Sequence, residues 1–149
     1  MKLPKANNIN ADRYVAGLSL FKNKTASIKL SSNESALGPS PKAIRAYNRV
    51  SKNIKRYPDT NGKTLKEILA KKFNLNAGRI ILGSGSDQIF EFICKAFLNK
   101  NDEVIVSKYS FIIYRIYSNI RGAKVVYAKE NNLQTSIKNI LNSVTKRTK

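Results

Sequence analysis

Histidine is absent from this chain, and cysteine occurs once, as Cys94. The first absence removes the usual general base near neutral pH and the commonest metal ligand. With a single thiol as well, neither an intramolecular disulfide nor a zinc site is expected, and no metal-binding residues are assigned. No apolar run reaches the length of a membrane span. The opening stretch Met1-Lys2-Leu3-Pro4-Lys5-Ala6-Asn7-Asn8 lacks the apolar core of a secretory signal, so a reducing, cytoplasmic setting is the expectation. No repeat or low-complexity tract suggests a solenoid. Acidic residues are also scarce, nine against 28 Lys and Arg, which leaves a net charge of +19. What remains is 149 residues with 42% hydrophobic content, enough for one domain with a real core and too little for two.

The first 27 or so residues show no sustained period and read as an arm, with Leu18, Leu20 and Phe21 available to dock. Ile28-Lys29-Leu30 is a short alternating run that stops at Ser31-Ser32-Asn33. From Ser40, an N-cap followed by Pro41, a helix is expected to about Asn53. Tyr57-Pro58-Asp59-Thr60-Asn61-Gly62 is a dense turn signal, and Thr64-Leu65-Lys66-Glu67 fits a capping box opening a second helix to about Phe73. Strands are then expected at Arg79–Leu82, Val104–Ser107 and Lys124–Tyr127. They alternate with helices at Ser86–Leu98, Ser110–Arg121 and Thr135 to about Ser143, and Gly122 provides a left-handed cap. Repeated strand–helix units imply parallel strands covered by helices, hence an α/β class.

The stretch Gly83-Ser84-Gly85-Ser86-Asp87-Gln88 separates the apolar run Ile80-Ile81-Leu82 from the apolar helix that begins at Ile89. A strand that turns through small residues into a helix leaves unpaired N–H groups aimed at one spot, which suits an anion such as a phosphate. A helix merely capped by Ser86 or Asp87 is the alternative. Two better-known phosphate motifs do not fit. A dinucleotide fingerprint needs Gly where Gln88 stands, and Gly62-Lys63-Thr64 has Tyr57 where a P-loop needs its first Gly. The next two helices are broadly apolar, which suggests burial on more than one side, and Cys94 reads as a core residue. Tyr109 or Phe111 would sit just past the C-terminal end of a parallel strand, the edge where ligands bind in open α/β sheets.

The positive charge supports a different reading. Lys42, Arg45, Arg49, Lys52 and Arg56 recur at spacings of three and four, on one helical face opposite Ala43, Tyr47, Val50 and Ile54. Such a stripe can track a nucleic-acid backbone, or it can be the solvated side of an amphipathic helix. None of the familiar nucleic-acid motifs is present, so nucleic acid is not the expected partner.

Several of these segments together carry a family resemblance. Lys29-Leu30-Ser31-Ser32-Asn33-Glu34, Gly38-Pro39-Ser40-Pro41-Lys42-Ala43, Arg56-Tyr57-Pro58-Asp59, Gly83-Ser84-Gly85-Ser86-Asp87 and Tyr109-Ser110-Phe111, in this order and spacing, resemble the N-terminal part of histidinol-phosphate aminotransferases. These are pyridoxal-phosphate enzymes of the aspartate-aminotransferase fold, and the resemblance runs from about residue 28 to the end. It implies an N-terminal arm over 1–27 and, over 28–149, the first part of the large cofactor-binding domain (fold type I), with its sheet incomplete. The implied cofactor is pyridoxal 5′-phosphate. The implied reaction is amino transfer between histidinol phosphate or a similar amino acid and 2-oxoglutarate, in a homodimer with no membrane association.

Residue by residue, the resemblance implies that the backbone N–H groups around Ser86, Asp87 and Gln88 hold the cofactor phosphate and that Phe111 stacks on the pyridine ring. Tyr57 matches the tyrosine that reaches the phosphate of the neighbouring subunit, and Asn33 lies in the substrate-proximal segment. Ser35-Ala36 departs from the usual Asn-Pro there, and Gln88 replaces the frequent Glu. The Schiff-base lysine, the aspartate that pairs with the pyridinium nitrogen, an Asn-Pro-rich turn and the substrate-binding arginine all lie C-terminal to this segment in the family, so no catalytic residue is assigned here. The family's sheet also inserts later strands between those equivalent to Arg79–Leu82 and Val104–Ser107. Three readings follow: an aminotransferase portion inactive alone, a half-enzyme completed by a second chain, and a basic nucleic-acid-binding protein on the same scaffold.

Overall fold

The computed structural model describes residues 12–16 and 32–149. The expected run Ile28-Lys29-Leu30 and the docking residues Leu18, Leu20 and Phe21 lie outside the described residues. The described residues divide into two compact units, one holding residues 12–14 and 81–149, the other 15–16 and 32–80.

In the second of these units, α1 spans Pro41–Val50 and runs into a 3-10 turn at Ser51–Asn53. Ser40 caps it as its sequence position predicts, accepting the Ala43 N–H at 3.2 Å, and Pro41 fills the first turn. No residue of α1 is buried, so both its basic and its apolar face are exposed. Helix α2 spans Lys63–Phe73, but the capping box expected from Thr64 and Glu67 does not form. Asp59 takes that role: its carboxylate accepts the Asn61 N–H at 3.0 Å and the Lys63 N–H at 2.7 Å. A carboxylate already folded back by the Pro58-Asp59 turn reaches the orphan amides before a threonine inside the helix can. Glu67 instead faces Lys63 at 3.9 Å, an exposed pair of little energetic weight.

The bonds from Asn61 first, and then from Lys63, hold the Asp59 carboxyl below its ordinary value. A lowered carboxylate stabilises the fold above its unfolded value and ceases to as pH falls through the folded one. The first-turn amides of α2 should therefore exchange faster as pH drops below the ordinary carboxylate range, after correction for intrinsic exchange. Asp59→Ala should show the fast rate at every pH, and equal rates in both proteins would refute the assignment.

The first unit carries the sheet. Helix α3 spans Gly85–Phe97, strand β1 Glu103–Ser107, helix α4 Ile113–Ile120, strand β2 Lys124–Ala128 and helix α5 Ile137–Asn142. Strands β1 and β2 pair in parallel, in register from Glu103 with Lys124 to Ser107 with Ala128, and α4 is the crossover between them. The class is α/β, with a parallel sheet of only two strands among the described residues. Gly122 takes φ +73°, the left-handed cap expected after α4. The Gly122 and Ala123 N–H groups bond back to Asn119 O and Ser118 O. Cys94, Leu98 and Ala123 are buried together against Val104 and Tyr117, so the cysteine is a core residue.

Three expectations fail. Arg79–Leu82 is not a strand: Ala77–Arg79 is a 3-10 turn pinned by Asn76 Oδ1 on the Gly78 N–H at 2.8 Å, and Ile80 is extended without a ladder partner among the described residues. An apolar run becomes a strand only when a neighbour takes its backbone groups. Helix α4 begins at Ile113 and not at Ser110, because Ser110 folds back on the end of β1, its N–H and Oγ both bonding to Ser107 O. Helix α3, expected to be buried on more than one side, has only Cys94 buried and keeps Ile93 and Phe97 exposed beside the open edge of β1.

Candidate functional site: the Gly83–Gln88 turn and Phe111

Two glycines shape the turn, for different reasons. Gly85 has φ +80°, where an L side chain is strained, and nothing stands within 4 Å of where a Cβ would be. Gly83 is needed for close approach: a Cβ there would lie 2.9 Å from Ile89 Cδ1 and 3.3 Å from Gln88 Oε1. The Ser84 N–H is satisfied by Gln88 Oε1 at 2.7 Å, and the Gly85 N–H by Gly83 O at 2.9 Å. The N–H groups of Ser86 and Asp87, in the first turn of α3, then have no intrahelical acceptor. They stand next to Gly85, whose Cβ position is open, at the positive end of the helix. The N-cap, Ser84, makes no capping bond with its side chain. The arrangement offers two backbone donors to an anion.

Phe111 lies in the turn between the C-terminal end of β1 and α4, and 44% of it is exposed. Its ring meets Tyr14 edge-on at 6.2 Å and Tyr114 edge-on at 6.1 Å. Tyr114 in turn meets Phe90 edge-on at 4.8 Å. Phe90 stands four residues after Ser86, on the same face of α3. Phe90, Tyr114 and Phe111 thus form a ladder of aromatic rings from α3 to the turn after β1, and Arg115 on α4 has its Nε 3.2 Å from Asp12 Oδ2, in the segment bearing Tyr14. Tyr57 and Asn33 belong to the other unit. Tyr57 is 99% exposed, and Asn33 takes a left-handed φ of +48° in a turn.

Sequence reasoning missed two contributors. One is the Gln88 side chain, whose bond to Ser84 occupies a donor that would otherwise face the anion. The other is Glu130, which accepts the Tyr109 N–H beside Phe111 at 3.2 Å. The only available signal was the rarity of acidic residues in a chain with nine of them. A cavity of about 490 Å³ runs along β1 and the apolar side of α3, lined by Ile93, Phe97, Val104 and Val106 and reaching Phe90, Tyr114 and Ser110. Its lining is almost wholly apolar side chain, which suits a packing partner better than a charged ligand.

Residues 25–149 match the family model "Aminotransferase class I and II". The chain is 44% identical over 149 residues to histidinol-phosphate aminotransferase of Pelagibacter ubique, covering 100% of this chain and 41% of that protein. It is 38% identical over 146 residues to the Paramagnetospirillum magneticum enzyme of the same name, covering 98% and 40%. The chain thus spans about two fifths of the curated relatives it matches. In fold it resembles the crystal structure of histidinol-phosphate aminotransferase from Sinorhizobium meliloti in complex with pyridoxal-5′-phosphate, with TM-score 0.73 and 21% identity over 78% of this chain and 32% of that one. Among the described residues, no helix is long and apolar enough to cross a membrane.

Proposed function

The chain belongs to the class I and II aminotransferase family, and on that footing we propose that it forms the phosphate-gripping and ring-stacking part of a pyridoxal-phosphate site. The observation that carries this is the Gly83–Gln88 turn, with two free amides over an open left-handed glycine. The residues fit the group: the N–H groups of Ser86 and Asp87 would hold the phosphate, Gln88 would shape the turn beside them, and Phe111, half-exposed, would lie against the ring. The cofactor, when bound, supplies the electron sink for amino transfer. Tyr57 would reach the phosphate of a neighbouring subunit in a homodimer, and Asn33 would lie near the substrate. The names of the relatives make histidinol phosphate or a similar amino acid the proposed amino donor, and the family resemblance adds 2-oxoglutarate as the proposed acceptor.

The remaining groups of the site belong, on this reading, to further polypeptide, and the sheet supports that. Residues 148 and 149 pair with the outer edge of β1 at one residue: Thr148 forms a parallel bridge with Glu103, and the Lys149 N–H bonds to Glu103 O at 3.1 Å. Backbone alternation turns the N–H and C=O of Ile105 to that same edge, beside the 490 Å³ apolar cavity. A further parallel strand laid there would satisfy both.

Pyridoxal phosphate should bind the 149-residue polypeptide with a dissociation constant on the order of a millimolar, the strength of a few exposed charge-assisted bonds. Inorganic phosphate should displace it. Borohydride should trap no stoichiometric adduct at one defined lysine, and equilibrium dialysis with mass spectrometry reads both. Binding insensitive to phosphate, or a single reduced lysine in every molecule, would overturn the proposal.

A further inference from the structure

We infer that Glu130 is the positioning residue for Phe111, setting the ring's place through the backbone of Tyr109. This rests on the reading of Phe111 as the stacking ring. Glu130 lies two residues past β2, and its Oε1 accepts the Tyr109 N–H across 21 residues of sequence at 3.2 Å. That amide belongs to the turn that carries Phe111, and the next residue, Ser110, is fastened to Ser107 O at 2.7 Å. The two residues ahead of Phe111 are therefore both held, and the carboxylate is the hold that comes from outside the turn.

The loop bearing Glu130 is itself braced. Asn139 of α5 donates its side-chain amide to Lys129 O at 2.7 Å and to Asn131 Oδ1 at 3.4 Å. Asn131 and Gln134 then exchange both backbone bonds around Asn132 and Leu133, which have φ of +49° and +62°. A leucine in the left-handed region is strained by roughly 1–2 kcal/mol. Such strain persists only where surrounding bonds over-determine it, and here they fix the direction from which Glu130 approaches.

The second oxygen of Glu130 shows that packing alone did not select this residue. Oε2 is shielded from solvent and has no hydrogen-bond partner among the described residues. A carboxylate held only to fill space would be better replaced by an apolar group. Its one made bond goes to the amide adjoining Ser110 and Phe111.

Glu130→Ala and Glu130→Gln distinguish positioning from bulk stability. The amide oxygen of glutamine can still accept the Tyr109 N–H, so that variant should behave as wild type within about 2-fold. Glu130→Ala should speed hydrogen exchange at Tyr109 by about 10-fold and weaken pyridoxal phosphate by about 10-fold, the loss of one bond to a charged group. Inorganic phosphate, which touches only the amides of α3, should bind unchanged. In a Phe111→Leu background, Glu130→Ala should weaken pyridoxal phosphate no further. Unchanged Tyr109 exchange, equal weakening of both ligands, or full additivity with Phe111→Leu would overturn the inference. If the wild-type chain takes up neither ligand, the proposed function falls, and Tyr109 exchange alone decides the role of Glu130.

Discussion

Glu103→Leu should release the segment 145–149 from β1 and lower the melting temperature by roughly 10 °C, the scale of breaking a buried charge network in a small domain. Glu103 is 2% exposed and collects more partners than any other acid among the described residues. Arg147 Nη2 donates to its Oε1 at 2.7 Å, Thr145 Oγ1 donates to its Oε2 at 2.5 Å, and Lys124 Nζ stands 3.9 Å away. Its own N–H meanwhile donates to Arg147 O, and its C=O accepts the Lys149 N–H. Removing the carboxylate leaves Thr145 and Arg147 without their acceptor at the place where Thr148 bridges to β1. Thermal unfolding followed by circular dichroism measures the shift, and a change below 2 °C would show that the network is ornamental.

The same carboxyl gives this region a pH dependence. The bond from Thr145, and after it the Arg147 and Lys124 charges, hold Glu103 below its ordinary value despite burial, which acts in the opposite direction. A lowered carboxyl stabilises the fold above its unfolded value, and that contribution disappears as pH falls through the folded value. Acid should therefore loosen residues 145–149 while Glu103→Leu, already loosened, responds less.

Gly83→Val should be the most damaging single change at the turn. Even a Cβ would press within 2.9 Å of Ile89 Cδ1 and 3.4 Å of Gln88 Cβ, and the two further methyls have less room still. Overpacking of this kind costs about 1–3 kcal/mol. Ile89 must move first, and the added methyls also crowd Gln88 Oε1, 3.3 Å from the Cβ position, so the bond that the Ser84 amide makes to it should weaken. Stability and phosphate binding should fall together in Gly83→Val. In Gly85→Ala the Cβ meets open space, so the strain there comes from φ alone.

Local signals carried much of this fold. Ser40-Pro41 announced α1 to the residue, Gly122 announced the end of α4, and the alternation of apolar runs placed β1 and β2 within a residue of their ends. Each is decided by neighbours within one turn or one strand. What sequence could not place depends on distant partners. The run Ile80-Ile81-Leu82 has strand composition and no adjacent strand, and Asp59 outcompeted Thr64 because the geometry of the Tyr57–Gly62 turn decides which oxygen arrives. The anion turn was legible from its glycines. The Gln88 side chain that shapes it, and the Glu130 carboxylate that steadies Phe111, were not, because their bonds are settled by tertiary approach.

The account rests on amides at the start of α3 gripping an oxyanion. The direct measurement is a backbone amide NMR titration with inorganic phosphate and then with pyridoxal phosphate. The account predicts saturable shifts at Ser86, Asp87 and Gln88 with both ligands, and added shifts at Phe111 and Tyr114 with pyridoxal phosphate alone. Shifts confined to Lys42, Arg45, Arg49, Lys52 and Arg56, with the α3 amides silent, would contradict it and make the anion response a property of the basic helix.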